Sequence, residues 1–210
     1  DLTLAISRLD ARATDVARAY VGTSDGTITR AVTWASLWNA GRDGLLDPLR
    51  FVLAVLNAVP SETEPAIRDR LLLFVADAIS SFLPGQARSD VHDQVLATTI
   101  RLSRETEDSD AWRSYTRAFI AEFAARGGDE YEATVRDFAS SDNPDIAWRA
   151  RRALAARGLV DEESIEAWRS ADGSGEAARM SVEALASLPL AEARARAWGS
   201  VFSDSLSDDY

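Results

Sequence analysis

The 210-residue chain contains no cysteine, no lysine and a single histidine. Without cysteine, disulfides, thiolate metal sites and cysteine nucleophiles are all excluded from it. One imidazole, His92 in VHDQV, cannot supply the two helix-borne histidines of a zinc hydrolase. Flanked by Asp90 and Asp93 at what reads as a first helical turn, His92 is expected on a rim or in solvent, with no metal or catalytic role. All 23 basic residues are therefore arginine, and a GC-rich coding sequence explains that bias more simply than a need for guanidinium at every site. Positive charge is also short in total. Against 34 acidic residues the formal net charge is -11, a surface that repels a phosphate backbone, so nucleic acid is not the expected partner. No apolar run approaches the roughly 20 residues of a membrane span, and no basic-then-apolar leader opens the chain. Together these absences point to a cytoplasmic protein with no membrane partner. The chain opens on Asp1 and not on methionine, which reads as a processed product or an excised piece.

What is present is helical periodicity, on an ordinary globular composition of 46% hydrophobic and 27% charged residues. No segment alternates with period two and β-branched enrichment, so no sheet is expected. Ile67, Leu71, Phe74, Val75, Ala78, Ile79 and Phe82 share one broad helical face. Val91, Val95, Thr98, Thr99 and Leu102 form a weaker stripe on a helix capped by Ser89, and Trp112, Tyr115, Phe119 and Phe123 another behind Ser109. Shorter helices follow around Val135, Trp148, Ile165 and Met180, and the last runs through Trp198 and Phe202 behind Pro189. Their short connections predict antiparallel neighbours in a single helical-repeat domain over 1–210.

The stretch Thr29 to Phe51, TRAVTWASLWNAGRDGLLDPLRF, organises the rest. On a helical wheel Ile28, Ala31, Val32, Trp34, Ala35, Leu37, Trp38 and Leu45 cover more than half the circumference, with Thr29, Thr33, Ser36 and Asp43 as a narrow polar strip, so this helix is expected to be packed on two sides. Gly44 stands where a left-handed residue closes a helix, and Asp47-Pro48 supplies an N-cap and a first-turn proline for the next.

Arg30, Ala31, Trp34, Trp38, Gly44, Leu46 and Asp47, with Arg42 and Asp43 in the Gly-Arg-Asp ending of the bacterial branch, resemble the C-terminal helical domain of the aminopeptidase N family of zinc metallopeptidases, the endoplasmic-reticulum aminopeptidase C-terminal-like domain. DLTLAISRLDARA at the start, and DIAWRARRALAARGLVDEESIEAW and EARARAWGSVFSDSL later, are similar to the entry and later helices of that domain, so the likeness spans most of the chain. The resemblance implies an all-α fold of antiparallel helix pairs in a HEAT-like or armadillo-like right-handed superhelical array. It also implies that the nine residues named serve the structure and that the chain is a C-terminally truncated piece of a larger multidomain hydrolase.

The family's HExxH helix and its Gly-x-Met-Glu-Asn loop are not found here. No Gly-x-Ser-x-Gly turn follows a strand, since no strand is expected, and Gly173 to Gly175 lacks the lysine of a phosphate loop. The six tryptophans fall on apolar faces and read as core, Arg30, Arg42 and Asp43 as ion-pairing residues between helices, and Arg149, Arg151, Arg152 and Arg157 as a solvated face. No catalytic or metal-binding residue is assigned, and no substrate-contacting residue can be named. By resemblance, the chain is a non-catalytic cap that covers the active-site cleft of a zinc aminopeptidase and restricts peptide access, with zinc held in the upstream catalytic domain. That domain and peptide substrates are the implied partners, and self-association through Trp198, Val201 and Phe202 is expected of the truncated piece. A free-standing HEAT-like scaffold for a protein or peptide is the alternative.

Overall fold

The computed structural model describes residues 8–202. Among them are eleven α-helices, three short 3-10 turns and no strand, so the fold is all-α. Contacts divide the chain into two compact units, one reaching Ala118 and the other starting at Phe119.

The first unit holds α1 (Ala11–Tyr20), α2 (Thr27–Arg42), α3 (Pro48–Ala58), α4 (Pro65–Ser81), α5 (Gly85–Glu105) and the first part of α6 (Ser109–Arg126). Helices in it touch their chain neighbour and also the next but one, α1 on α3, α2 on α4 and α3 on α5, as stacked helical pairs do. Its core joins Trp34, Leu37, Phe51, Val55, Leu71 and Val95 with Tyr115. An aromatic cluster lines one side, with Trp38 stacked on Phe74 at 4.5 Å and tilted against Phe51 at 5.5 Å. The second unit holds α7 (Glu132–Phe138), α8 (Pro144–Ala156), α9 (Glu162–Asp172), α10 (Gly175–Ser187) and α11 (Ala191–Val201), with α10 packed on α8, α9 and α11.

The termini follow local chemistry. Gly44 adopts φ 74°, and the amides of Leu45 and Leu46 both return to the carbonyl of Ala40, closing α2. Asp47 then accepts from the amide of Leu49 at 3.0 Å with Pro48 in the first turn of α3. A Cβ at Gly44 would meet no atom within 4 Å, so the cost of Gly44→Ala is backbone strain alone. It is expected to be about 1–2 kcal/mol in a urea titration. No measurable loss would mean that the turn relaxes out of the left-handed region.

Three sequence expectations are corrected. α2 is buried on one face only, along Arg30, Trp34, Leu37 and Gly41 with Ser36 and Ala40, whereas Ile28, Ala31, Val32 and Ala35 are exposed. The wheel is rotated because Arg30 finds a buried acid, and Ser36 satisfies itself on the carbonyl of Val32 at 2.8 Å. Helix α5 starts at Gly85, four residues before Ser89, so His92 lies in its second turn and is only 3% exposed, inside the unit and not at a rim. The cap of α6 is Asp108, whose Oδ1 accepts from the amides of Asp110 and Ala111, and not Ser109.

Candidate functional site

Two places gather charged side chains. In the first unit, the 3-10 turn Val59–Ser61 leads from α3 into Glu62, which is 6% exposed. Arg30 reaches it from α2 with a two-pronged contact, Nε to Oε2 at 2.9 Å and Nη2 to Oε1 at 2.8 Å, and its Nη1 donates to the carbonyl of Ser24 at 2.9 Å. The amide of Glu64 donates to Oε1 of Glu62 at 2.9 Å. Arg68, 2% exposed on α4, donates from Nη1 to the main-chain carbonyl of Glu62 at 3.0 Å and lies 5.8 Å from the centroid of the Tyr115 ring. Tyr115 in turn donates its hydroxyl to the carbonyl of Val59 at 3.0 Å. Beside this cluster is a concavity of about 460 Å³ bordered by Pro60, Thr63, Arg101, Glu105, Thr106 and Asp108.

Burial pushes the Glu62 carboxyl up, but the hydrogen bonds from Arg30 and Glu64 and the Arg30 charge outweigh it and hold the pKa below the ordinary value. The Arg30 guanidinium moves up, chiefly through its hydrogen bonds to Glu62 and against the opposing effect of burial. Unfolded Glu62 therefore binds a proton more readily than folded Glu62. Its contribution to stability is complete above the usual carboxylate value of about 4.3 and is lost as pH falls through the lower folded value. Denaturation midpoints measured from pH 7 to pH 2 should show this loss, and it should shrink in Glu62→Gln. An unchanged acid profile in that variant would count against the assignment.

In the second unit, α8 and α10 border a trench of about 510 Å³ that Trp148 and Met180 floor. Its arginines each meet an acid, Arg149 with Asp145 at 2.8 Å, Arg152 with Glu183 at 2.8 Å and Arg179 with Glu183 at 2.6 Å. Arg151 donates from Nε to the carbonyl of Ala139 at 3.0 Å and lies over the rings of Trp148 and Trp168 at 4.8 and 5.4 Å. Burial pushes its pKa down, with Asp172 acting against that. Arg149, Arg151 and Arg152 are thus half-buried and tethered, and only Arg157 is exposed, which corrects the solvated-face reading. Helix α8 carries an arginine on nearly every side, and neighbouring acids and indoles take up those that face inward.

The nine residues singled out from the sequence do not converge on one point. Arg30 and Trp34 are buried, Trp34 edge-on to Phe51 at 6.2 Å, and Leu46 is buried beneath the turn that Gly44 and Asp47 form. Trp38 is half-buried in the aromatic cluster, while Ala31, Arg42 and Asp43 are exposed, Asp43 lying 3.7 Å from Arg8. Of the six tryptophans Trp34 and Trp148 are buried and Trp38, Trp112 and Trp168 half-buried, but Trp198 is 69% exposed and not core. Sequence reasoning missed Glu62 and Arg68. Among the described residues no group of three or more His, Cys, Asp or Glu side chains could hold a metal ion, and no helix is long and apolar enough to cross a membrane.

Residues 1–210 match the ERAP1-like C-terminal domain family from end to end. The chain belongs to that family. It is 28% identical over 211 residues to the aminopeptidase N of Streptomyces lividans, an alignment that takes in 96% of this chain and 24% of that protein. The chain thus spans about a quarter of the length of the curated relative it matches. In this ERAP1-like C-terminal domain, most ion pairs among the described residues lie within one helix, at i,i+3 or i,i+4 spacing, but some join separate elements. Arg30 to Glu62 ties α2 to the entry of α4, and Arg152 to Glu183 ties α8 to α10.

Proposed function

We propose that this domain is the non-catalytic cap of a zinc aminopeptidase, covering the active-site cleft and restricting which peptides enter. The observation that carries the reading is the family match over the entire chain, with the alignment to a protein named aminopeptidase N in support. On this reading the metal, the water it activates and the general base belong to a catalytic domain of the same polypeptide. That domain and peptide substrates are the partners, and the compartment is the cytoplasm. The action of the cap is steric, and this suits side chains already engaged with one another.

The test is the native polypeptide, probed in a lysate of the source cells with an antibody against this domain. A band several-fold larger than 22.8 kDa that co-purifies with zinc-dependent aminopeptidase activity is expected. A band of that size without the activity would overturn the reading. Photoreactive peptides then test the capping role, since long ones should label this domain during turnover and a dipeptide should not.

The isolated 210-residue chain should also self-associate with a second copy. Trp198 and Phe202 support this, 69% and 72% exposed and edge-to-face at 5.4 Å, an open apolar pair of the kind that proteins cover; the side chain of Val201 lies outside the described residues. Light scattering should show a mass rising with concentration, and Trp198→Ser should restore the monomer. A constant 22.8 kDa in the unaltered chain would refute it.

A further inference from the structure

Arg68 is a permanently charged group in the interior of the first unit, only 2% exposed, and it spends only one of its five N–H donors on a protein acceptor. Its Nε and Nη2 are both buried and have no hydrogen-bond partner. A guanidinium cannot escape this situation by losing its proton, so an unmet pair of donors there calls for an acceptor. We propose that Arg68 and the concavity beside it form a binding site for a carboxylate, a function separate from the capping role and independent of it.

The unpaired donors define the ligand. Nε and Nη2 form one edge of the guanidinium, a fork whose spacing matches the two oxygens of a carboxylate. The same chain shows what that edge takes, because Arg30 turns its own Nε and Nη2 to the carboxylate of Glu62 at 2.9 and 2.8 Å. No acid of the lining does the same for Arg68. Glu62 is held by Arg30, Glu105 is paired with Arg101 at 2.6 Å, and Asp108 uses Oδ1 to cap α6. Asp108 and Arg68 influence each other only through space. In the second unit's trench, by contrast, every lining arginine already meets an acid.

Charge disfavours a dianion. Arg68 and Arg101 face Glu62, Glu105 and Asp108 around the concavity, with Arg30 behind Glu62, so the surroundings are balanced and not strongly positive. A dianionic phosphate would gain little there and would approach a protein of net charge -11. The concavity of about 460 Å³ has room for a small organic acid or the last residues of a peptide. Tyr115, whose hydroxyl is held by the carbonyl of Val59, places its ring centroid 5.8 Å from the guanidinium carbon, and both residues border the concavity.

The measurement reads the unmet donor itself, the Nε–H resonance of Arg68 in the 15N-labelled 210-residue chain, assigned by its loss in Arg68→Lys. Acetate should shift it saturably, and acetamide and inorganic phosphate should not. A tripeptide with a free carboxyl and its amide then separate the two sources of a carboxylate. Equal affinity for acetate and the free-acid tripeptide would assign the site to small acids. At least tenfold tighter binding of the free-acid tripeptide, lost in its amide, would assign it to chain ends. Should Arg68→Lys not fold, triple-resonance assignment of the unaltered chain serves the same titration. An Nε–H signal that acetate leaves in place, or shifts no more than acetamide does, would mean that water alone meets these donors and would overturn the proposal. Binding of acetate that survives unchanged in a folded Arg68→Lys would overturn it as well.

Discussion

Replacing Arg30 by alanine is expected to destabilise the first unit by about 3–5 kcal/mol, the cost of removing one member of a buried ion pair and leaving the other charged and unmatched. Glu62 would keep the amide of Glu64 but lose both prongs of the guanidinium, and the carbonyl of Ser24 would lose its donor. Chemical denaturation at neutral pH measures the loss. The double change Arg30→Ala with Glu62→Ala should cost clearly less than the sum of the two single changes, because it leaves no stranded charge. Additive costs would show that the pair is not a unit. Arg30→Lys should fall in between, since an ammonium keeps the charge and gives up the fork.

Trp148→Ala should cost a similar amount, about 3–5 kcal/mol, for a different reason. Trp148 is 1% exposed and packs with Ala177 and Met180, with the half-buried Trp168 against them, and its loss would leave a cavity in this cluster. The indole also donates to Asp172 at 3.0 Å and underlies Arg151 at 4.8 Å, so one substitution removes a core group, the partner of a carboxylate and the seat of a cation. A fall of several degrees in the thermal midpoint is expected. Trp148→Phe should recover most of the packing while still releasing Asp172. A midpoint that stays put in Trp148→Ala would show that α8 and α10 close over the gap.

Features governed by a few consecutive residues were legible in the sequence. The left-handed turn at Gly44 and the cap and proline at Asp47 and Pro48 appear where the residue types demand them. The apolar face of α4 is buried as its spacing predicts, from Ile67 through Leu71 and Val75 to Ile79. Arg30 reads as an ion-pairing residue between helices, as it proves to be, but its burial, its partner Glu62 and the buried Arg68 were not legible. On a wheel Arg30 and Arg68 look like the polar margins of apolar helices, and what turns them inward is Glu62, 32 positions from Arg30 in a short turn with no pattern of its own. His92 was misplaced because α5 begins behind Pro84 with no side-chain cap to announce it. Membership of the family, carried by the Arg30 to Asp47 stretch, could be read without any of this.

The open position of Trp198 gives the protein an optical asymmetry. Its indole meets water, whereas those of Trp34 and Trp148 do not, so the emission of the folded chain should be a composite with a red component that iodide quenches selectively. Whatever comes to lie over Trp198, whether another copy or another domain of the same polypeptide, would protect that component and shift it to the blue. Steady-state fluorescence can then follow coverage of this one corner in the intact protein, while the blue remainder reports separately on the integrity of the cores.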